Sequence, residues 1–277
     1  SPGLAAVIDR FGPVMLTDDG SLNRAALAAV VFSDPDARRD LEAITHPRIR
    51  DRFDELAATA PADAVVVNDI PLLTALPAVA GFQLVVGVGA DVDLRIRRLI
   101  GRGLAEADAR ARIAAQIDDD ARRPLTDVWM DNNGGVEALR AAVDALWDAR
   151  LRPFGDQLLR AVPATRGLPV VVPSDPTWPT TAARLLARIG FAAGTAVRGL
   201  EHIGPTAAPG IAAVDVLDLQ MTVADPAAAD AVAPALAHAG FPRVTGPAVD
   251  TIHGPARCVL HRNADPGRAV DLHVRVA

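Results

Sequence analysis

Two short apolar runs, each followed by charged, helix-patterned sequence, constrain this 277-residue chain more than any other feature. DAVVVNDIPLL, residues 63–73, and FQLVVGVGA, residues 82–90, are continuously apolar rather than alternating, and the first is ended by Asn68, Asp69 and Pro71. Runs of this form suit strands covered on both faces, as in a parallel sheet, where a crossover must join one strand to the next. The sequence supplies crossovers. DVDLRIRRLIGR opens with acids and closes with arginines, which matches the helix dipole, and a second charged helix is predicted from Ala105 to about Asp120. A short strand, TDVWMDN, and a helix from about Gly135 to Leu159 follow. The alternation predicts an α/β domain of three layers with a parallel sheet.

Upstream, Ser21 is placed to cap a helix over Leu22–Phe32, and Asp34 and Pro35 restart a charged amphipathic stretch. That stretch contains LEAITHPRIRDRF, residues 41–53, with His46, the one histidine of the first two hundred residues, directly before Pro47. Proline disfavours helix in the residue before it and is welcome in a first helical turn, so the step reads as one helix ending at Thr45 or His46 and another beginning at Pro47. A functional use of the step stays open beside that reading. Downstream, a proline-rich stretch from Pro153 to Pro179 marks a domain boundary. The remainder mixes predicted helices over Thr181–Ile189 and Pro226–Ala239 with strands VLDLQMTV and VDLHVRV, an α+β pattern.

Composition narrows the function classes. Half of the residues are hydrophobic, enough for real cores, while aromatics are 4% and tyrosine is absent. Neither that aromatic content nor a net charge of -6 suits a nucleic-acid surface, although one phosphate in one pocket is compatible with both. No apolar run reaches membrane-spanning length, and Cys258, being single, permits no intrachain disulfide. A cytoplasmic protein without nucleic-acid or membrane partners is the expectation, and its oligomeric state is unknown. All 28 basic residues are arginine. Any mechanism that needs lysine is therefore incomplete within these residues.

Ligands of parallel α/β sheets bind at the carboxyl ends of strands, which singles out Asn68 and Asp69, Gly87 and Gly89, and Asp131 to Gly135. DNNGG is also an ordinary turn by composition. Between these positions lie Arg102, Arg110, Arg112, Arg122 and Arg123. Helices of alternating charge commonly present a solvated face, and Gly-flanked arginines are also what a mobile phosphate clamp needs.

Taken in order, SPGL, FGP, DGSLNR, ITHPRI, DIPLL, RIRRLIGRG, IDDDARR and TDVWMDNNG resemble dephospho-coenzyme A kinase over roughly residues 1–155. The resemblance implies a P-loop kinase-like fold that uses ATP and Mg2+. It implies transfer of the γ-phosphate to the ribose 3'-hydroxyl of dephospho-coenzyme A, the final step of coenzyme A biosynthesis. By the same resemblance Arg102 and Arg122 clamp phosphates, His46, Pro47 and Asp69 line the substrate side, and Gln116 and Asn132 serve the nucleotide. The family's glycine-rich loop ending in Gly-Lys-Ser/Thr precedes SPG, so the residues from Ser1 onward are expected to lack it and to be inactive alone. Two further departures are Thr74–Ala75, where the family carries glutamate, and a lid one residue shorter around Ile100 and Gly101.

EHIGPTAAPGIAAVDVLDLQMTV and ADPGRAVDLHVRV resemble the GrpB family, which implies a nucleotidyltransferase-like fold. Pro205 and Thr206 stand where that family has Ser-Thr, and Val214 where it has lysine. A catalytically silent domain is expected, with Asp218 buried against backbone amides; an alternative has Asp218 and Asp271 binding a metal across two strands. The domain limits expected are 1–158 for the incomplete kinase domain, 159–175 for a linker and 176–277 for the GrpB-like domain. The rival function is a non-catalytic nucleotide- or coenzyme A-binding scaffold.

Overall fold

The structure, a computed structural model, describes residues 1–70, 73, 76–114, 116–244 and 258–277, apart from the side chain of Phe32. They form two compact units, residues 1–69 and 70–277. The expected linker 159–175 lies inside the second.

The first unit is helical. α1 (Pro2–Phe11) is capped by Ser1, whose Oγ accepts from the Leu4 amide at 3.3 Å. α2 (Arg24–Ser33) is capped by Asn23 rather than the expected Ser21, with Asn23 Oδ1 accepting from the Ala26 amide at 3.0 Å. The Ser21 hydroxyl is engaged with Thr17 in the preceding turn, 2.7 Å away. α3 (Pro35–Ala58) is capped by Asp34 and runs straight through Pro47, so the expected helix break does not occur. An interior proline leaves the Ala43 carbonyl without its usual donor and costs about 3 kcal/mol. Packing outweighs it: Leu41 and Ile44, just before the proline, lie against a core of Val7, Met15 and Leu27.

Residues 63–70, expected to begin a strand, form none, and Val67 is 81% exposed. A valine run favours extended chain, but a ladder needs a neighbour, and none of the described residues supplies one. Pro71, Leu72, Thr74 and Ala75 lie outside the described residues, and with them the position of the missing glutamate.

The second unit begins with the predicted parallel pair. β1 (Val86–Gly89) is followed by α4 (Val92–Gly101), α5 (Glu106–Ala114) and α6 (Asp119–Arg122) before β2 (Val128–Asp131). The pair is in register from Val86 opposite Val128 to Gly89 opposite Asp131. The charged helix expected to run to Asp120 is interrupted: α5 ends at Ala114, and Asp118 caps a new turn by accepting from the Ala121 amide at 2.7 Å. α7 (Val136–Leu146), a π-helical turn over Trp147–Leu151 and α8 (Arg152–Arg160) form the long predicted helical run. Pro153 falls in the first turn of α8, where proline is tolerated.

β3 (Val171–Val172), α9 (Trp178–Ala193), β4 (Gly199–Ile203), β5 (Ala213–Val214), β6 (Leu217–Val223), α10 (Pro226–His238), β7 (Cys258–Arg262) and β8 (Val270–Val276) complete the unit. The four-stranded sheet has the order β4-β6-β8-β7, with β6 and β8 parallel and both outer pairs antiparallel. Strict alternation sends Leu217, Leu219, Met221 and Val223 to a core with Leu272, Trp178, Leu185 and Leu236. Asp218, Gln220, Asp271 and His273 fall on the other face. The class is thus α/β with a parallel sheet followed by α+β, as expected. No helix among the described residues is long and apolar enough to cross a membrane.

Candidate functional site

The carboxyl edge of β1 and β2 is built around one indole. Trp129 on β2 lies across the glycines of β1: a Cβ at Gly87 would come within 2.7 Å of the ring, and one at Gly89 within 2.7 Å of Asp119 Oδ2 as well as into the indole. Only glycine permits that approach. Above the ring sit two guanidinium groups, Arg123 at 4.3 Å and Arg122 at 5.1 Å from its centroid. Arg122 Nη2 also donates to the Val88 carbonyl at 3.0 Å and pairs with Asp119 at 2.5 Å.

Arg95, from α4, approaches the same carboxylate to 4.0 Å and donates to Gln116 Oε1 at 2.6 Å. The side chains of Arg95, Asp119 and Arg122 keep 21–27% of their surface exposed. Two guanidinium groups facing one carboxylate leave a surplus of positive charge at a strand end, with planar donor pairs suited to an anion bearing several oxygens. The loop after β2 closes the floor. Asn133 Nδ2 donates to Asp91 and to Asp131, both at 3.0 Å, while its Oδ1 accepts from the Asp91 amide.

Of the sequence-predicted residues, Gln116 and Arg122 are brought together, and Asn132 adjoins them through its amide, which donates to the Gly89 carbonyl at 2.8 Å. Arg102 lies outside this set of contacts, an exposed residue at the end of α4. His46 and Pro47 are exposed on α3, and Asp69 is exposed at the end of the first unit. The solvated-face reading holds for Arg110, paired with Glu106 and 59% exposed, and fails for Arg122. Arg95, Asp119 and Trp129 were not singled out from the sequence. The usable signal was VGVG, two glycines on one strand face opposite one large residue.

The second half carries another polar cluster, on the open face of its sheet. Asp218 and Asp271 stand opposite each other, the placement that belonged to the alternative reading. Asp271 accepts from Arg166 and from Arg262, each at 3.0 Å. Asp218 is not buried against backbone amides as expected. It is part-exposed, beside Gly204, with Oδ1 3.5 Å from His273 Nε2. The Asp218 carboxylate, and then the Cys258 thiol at 3.8 Å, push the His273 pKa up to about 9. In the turn after β4 Pro205 has no amide to offer, and the buried Thr206 hydroxyl faces inward to His202 and the Val216 carbonyl. Among the described residues no three His, Cys, Asp or Glu are grouped to hold a metal ion.

Comparison with known proteins matches the chain to two families in succession. The pattern of the family described as Dephospho-CoA kinase matches residues 1–138, and that of the family described as GrpB protein matches residues 169–277. The Dephospho-CoA kinase of Mycolicibacterium paratuberculosis is 43% identical over 298 residues, spanning 99% of this chain and 72% of the relative. That of Streptomyces avermitilis is 44% identical over 148 residues, spanning 53% of this chain and 72% of the relative. A solved structure, TT1252 of Thermus thermophilus, aligns at 29% identity with a TM-score of 0.42, covering 53% of this chain and 80% of that one. With 43% identity sustained through 99% of its length, the chain belongs to the dephospho-CoA kinase family.

Proposed function

We propose that the arginine cluster at the carboxyl edge of β1 and β2 holds the phosphates of ATP during phosphorylation of dephospho-coenzyme A. That phosphorylation, a phosphotransferase reaction of coenzyme A biosynthesis, is the activity of the family and of this chain. The observation that carries the site assignment is the two-to-one excess of guanidinium over carboxylate around Asp119, open to solvent at a strand end.

Phosphoryl transfer asks a protein chiefly for positioning and for stabilisation of charge on the transferring group. Arg122 is held from three sides, by the Val88 carbonyl, Asp119 and the Trp129 ring, so its orientation is set before a nucleotide arrives. Gln116 does the same for Arg95. Arg102, exposed at the end of α4, is assigned to a lid that reaches the transferring phosphate, and Asn132 to the adenine side. His46, Pro47 and Asp69 are assigned to the acceptor, whose ribose 3'-hydroxyl receives the γ-phosphoryl group. Magnesium bound with the nucleotide would supply charge neutralisation at the phosphates and would ask the protein for only one or two carboxylates. No step is assigned to the ion, because the described residues gather no ligand cluster.

The domain limits 1–158, 159–175 and 176–277 are part of this reading; the family matches, ending at 138 and resuming at 169, support a join in this region with the second domain starting inside the proposed linker. The test is ADP release by the full-length protein with and without dephospho-coenzyme A. Release that requires the acceptor, with a product heavier by one phosphate, is expected. Turnover indifferent to the acceptor would overturn the reading.

A further inference from the structure

Between the two family-matched halves lies a buried ionic knot. Asp127 stands at the start of β2, in the kinase-matched region, with its carboxylate 4% exposed. Its partners are Arg184 and Arg188 of α9, in the GrpB-matched region, 8% and 4% exposed. Arg184 Nε donates to Asp127 Oδ1 at 2.9 Å and Arg188 Nη2 to Oδ2 at 2.8 Å. Burial pushes the Asp127 carboxyl pKa up, but Arg188 and Arg184 outweigh it and hold it low.

The knot is tied to the site by short links. Asp127 Oδ2 also accepts from the Val85 amide at 2.8 Å, which fixes the start of β1 against the start of β2. Arg184 Nη1 donates to the Pro124 carbonyl at 2.8 Å, one residue after Arg123 and two after Arg122. A second bridge repeats the pattern: Arg150 makes a two-point pair with Asp265, at 2.8 and 2.6 Å, and donates to the Asp127 carbonyl at 3.2 Å. Gly267 of the ADPG motif leaves the room for Arg150 that any Cβ would fill.

Two buried cations on one buried anion are an expensive way to gain stability, and apolar packing of the same volume serves as well or better. Arg188 even leaves its Nε buried without a partner. What the knot does supply is geometry, since it fixes the Arg122–Pro124 turn from outside the kinase-matched region.

We propose that Arg184 is a positioning residue of the kinase site, acting through Asp127 and Pro124 to hold Arg122 in place. The inference rests on the phosphate-site reading of Arg122. It makes the second half a working part of the kinase rather than an appendage.

Two variants of the full-length protein test it. Arg184→Lys keeps the charge beside Asp127 but cannot span both Asp127 and Pro124. Arg184→Met leaves Asp127 matched one to one by Arg188. Whichever retains the parental thermal midpoint is decisive, with Arg188→Lys, which changes a residue that bonds Asp127 and not Pro124, as comparator. A fall of about tenfold in kcat/KM for ATP is expected for the Arg184 variants, as for misplacement of a catalytic group by a fraction of an ångström, with KM for dephospho-coenzyme A within about twofold. Arg188→Lys is expected to lower the midpoint without that split. Parental ATP kinetics in a folded Arg184 variant, or equal losses for both substrates, overturn the inference. Arg122→Ala in the same assay separates the layers: if it too is unimpaired, the phosphate site itself is misassigned.

Discussion

The cluster around Arg122 and the open sheet face around Asp271 contain the same residue types, two arginines on one aspartate, but hold them in different places. At the edge of β1 and β2 one carboxylate, Asp119, faces two arginines, and the surplus charge stays in contact with solvent. On the face of β6 and β8 cations also outnumber carboxylates, three to two, but the carboxylates are spread over two paired strands. Asp271 is met by Arg166 and Arg262, Asp218 by His273, and the carboxylates have little demand left for a cation. A third cluster, at Asp127, has the same two-to-one excess of arginine as the first, but sealed from water. Charge stoichiometry and exposure therefore do not separate the first two clusters; position does, the Arg122 cluster alone of the three lying at the carboxyl edge of a parallel pair.

The sharpest way to break this comparison is Arg122→Ala. Removal of one preorganised charge from a phosphoryl-transfer site is expected to lower turnover about 10²- to 10³-fold with little change in thermal midpoint, read by coupled ADP release and melting. Unchanged turnover would return Arg122 to the solvated face. A smaller effect, on stability, is expected from Gly89→Val. The added side chain strikes Trp129 and Asp119, at a cost of about 2–3 kcal/mol measurable by denaturant unfolding, and the activity should fall with it.

Pro47→Ala bears on the exposed residues of the first unit. It restores a helical donor and should stabilise α3 by about 1–2 kcal/mol in a thermal melt followed by circular dichroism. A rise in KM for dephospho-coenzyme A despite that gain is expected if the His46-Pro47 step meets the acceptor. An unchanged KM would make the proline a feature of the fold alone.

The smallest expected effect concerns the matched face. The folded pKa of His273, about 9, lies above the ordinary value of 6.5. The His273–Asp218 pair therefore contributes fully below about pH 6.5 and is lost as pH rises through 9. Stability should decline by about 1 kcal/mol across that window, and Asp218→Asn should flatten the slope while leaving kinase turnover unchanged. A slope that survives Asp218→Asn would mean that another group titrates there.

Much of the fold was legible because it obeys local rules. Continuous apolar runs and alternation marked β1, β6 and β8, acid-to-base polarity marked α4, and the Asp218–Asp271 opposition followed from aligning two strands. Within the site, Gln116 and Arg122 were reached through motif resemblance, whereas Arg95 and Asp119 were hidden in charge patterns shared with solvated helices. The helix through Pro47 was misread because the preference of the residue before a proline is local, and the packing that overrides it is not.

The sequence by itself determined most element types outside residues 41–70, the kinase and GrpB-like character of the two halves, and the chemistry available. With no lysine, the permanently charged groups available to phosphate within these residues are guanidinium groups. Only the tertiary structure decided which arginines gather at a strand end. Arg110 and Arg122 sit in similar charged sequence, yet one lies along its own helix beside Glu106 and the other is pinned to Val88, 34 residues away. Likewise the bond from Arg184 to Asp127 spans 57 residues, and the one from Arg150 to Asp265 spans 115. Spacing within a helix reports neighbours three and four residues apart, whereas burial and charge balance are set by groups that become neighbours only when the chain has folded.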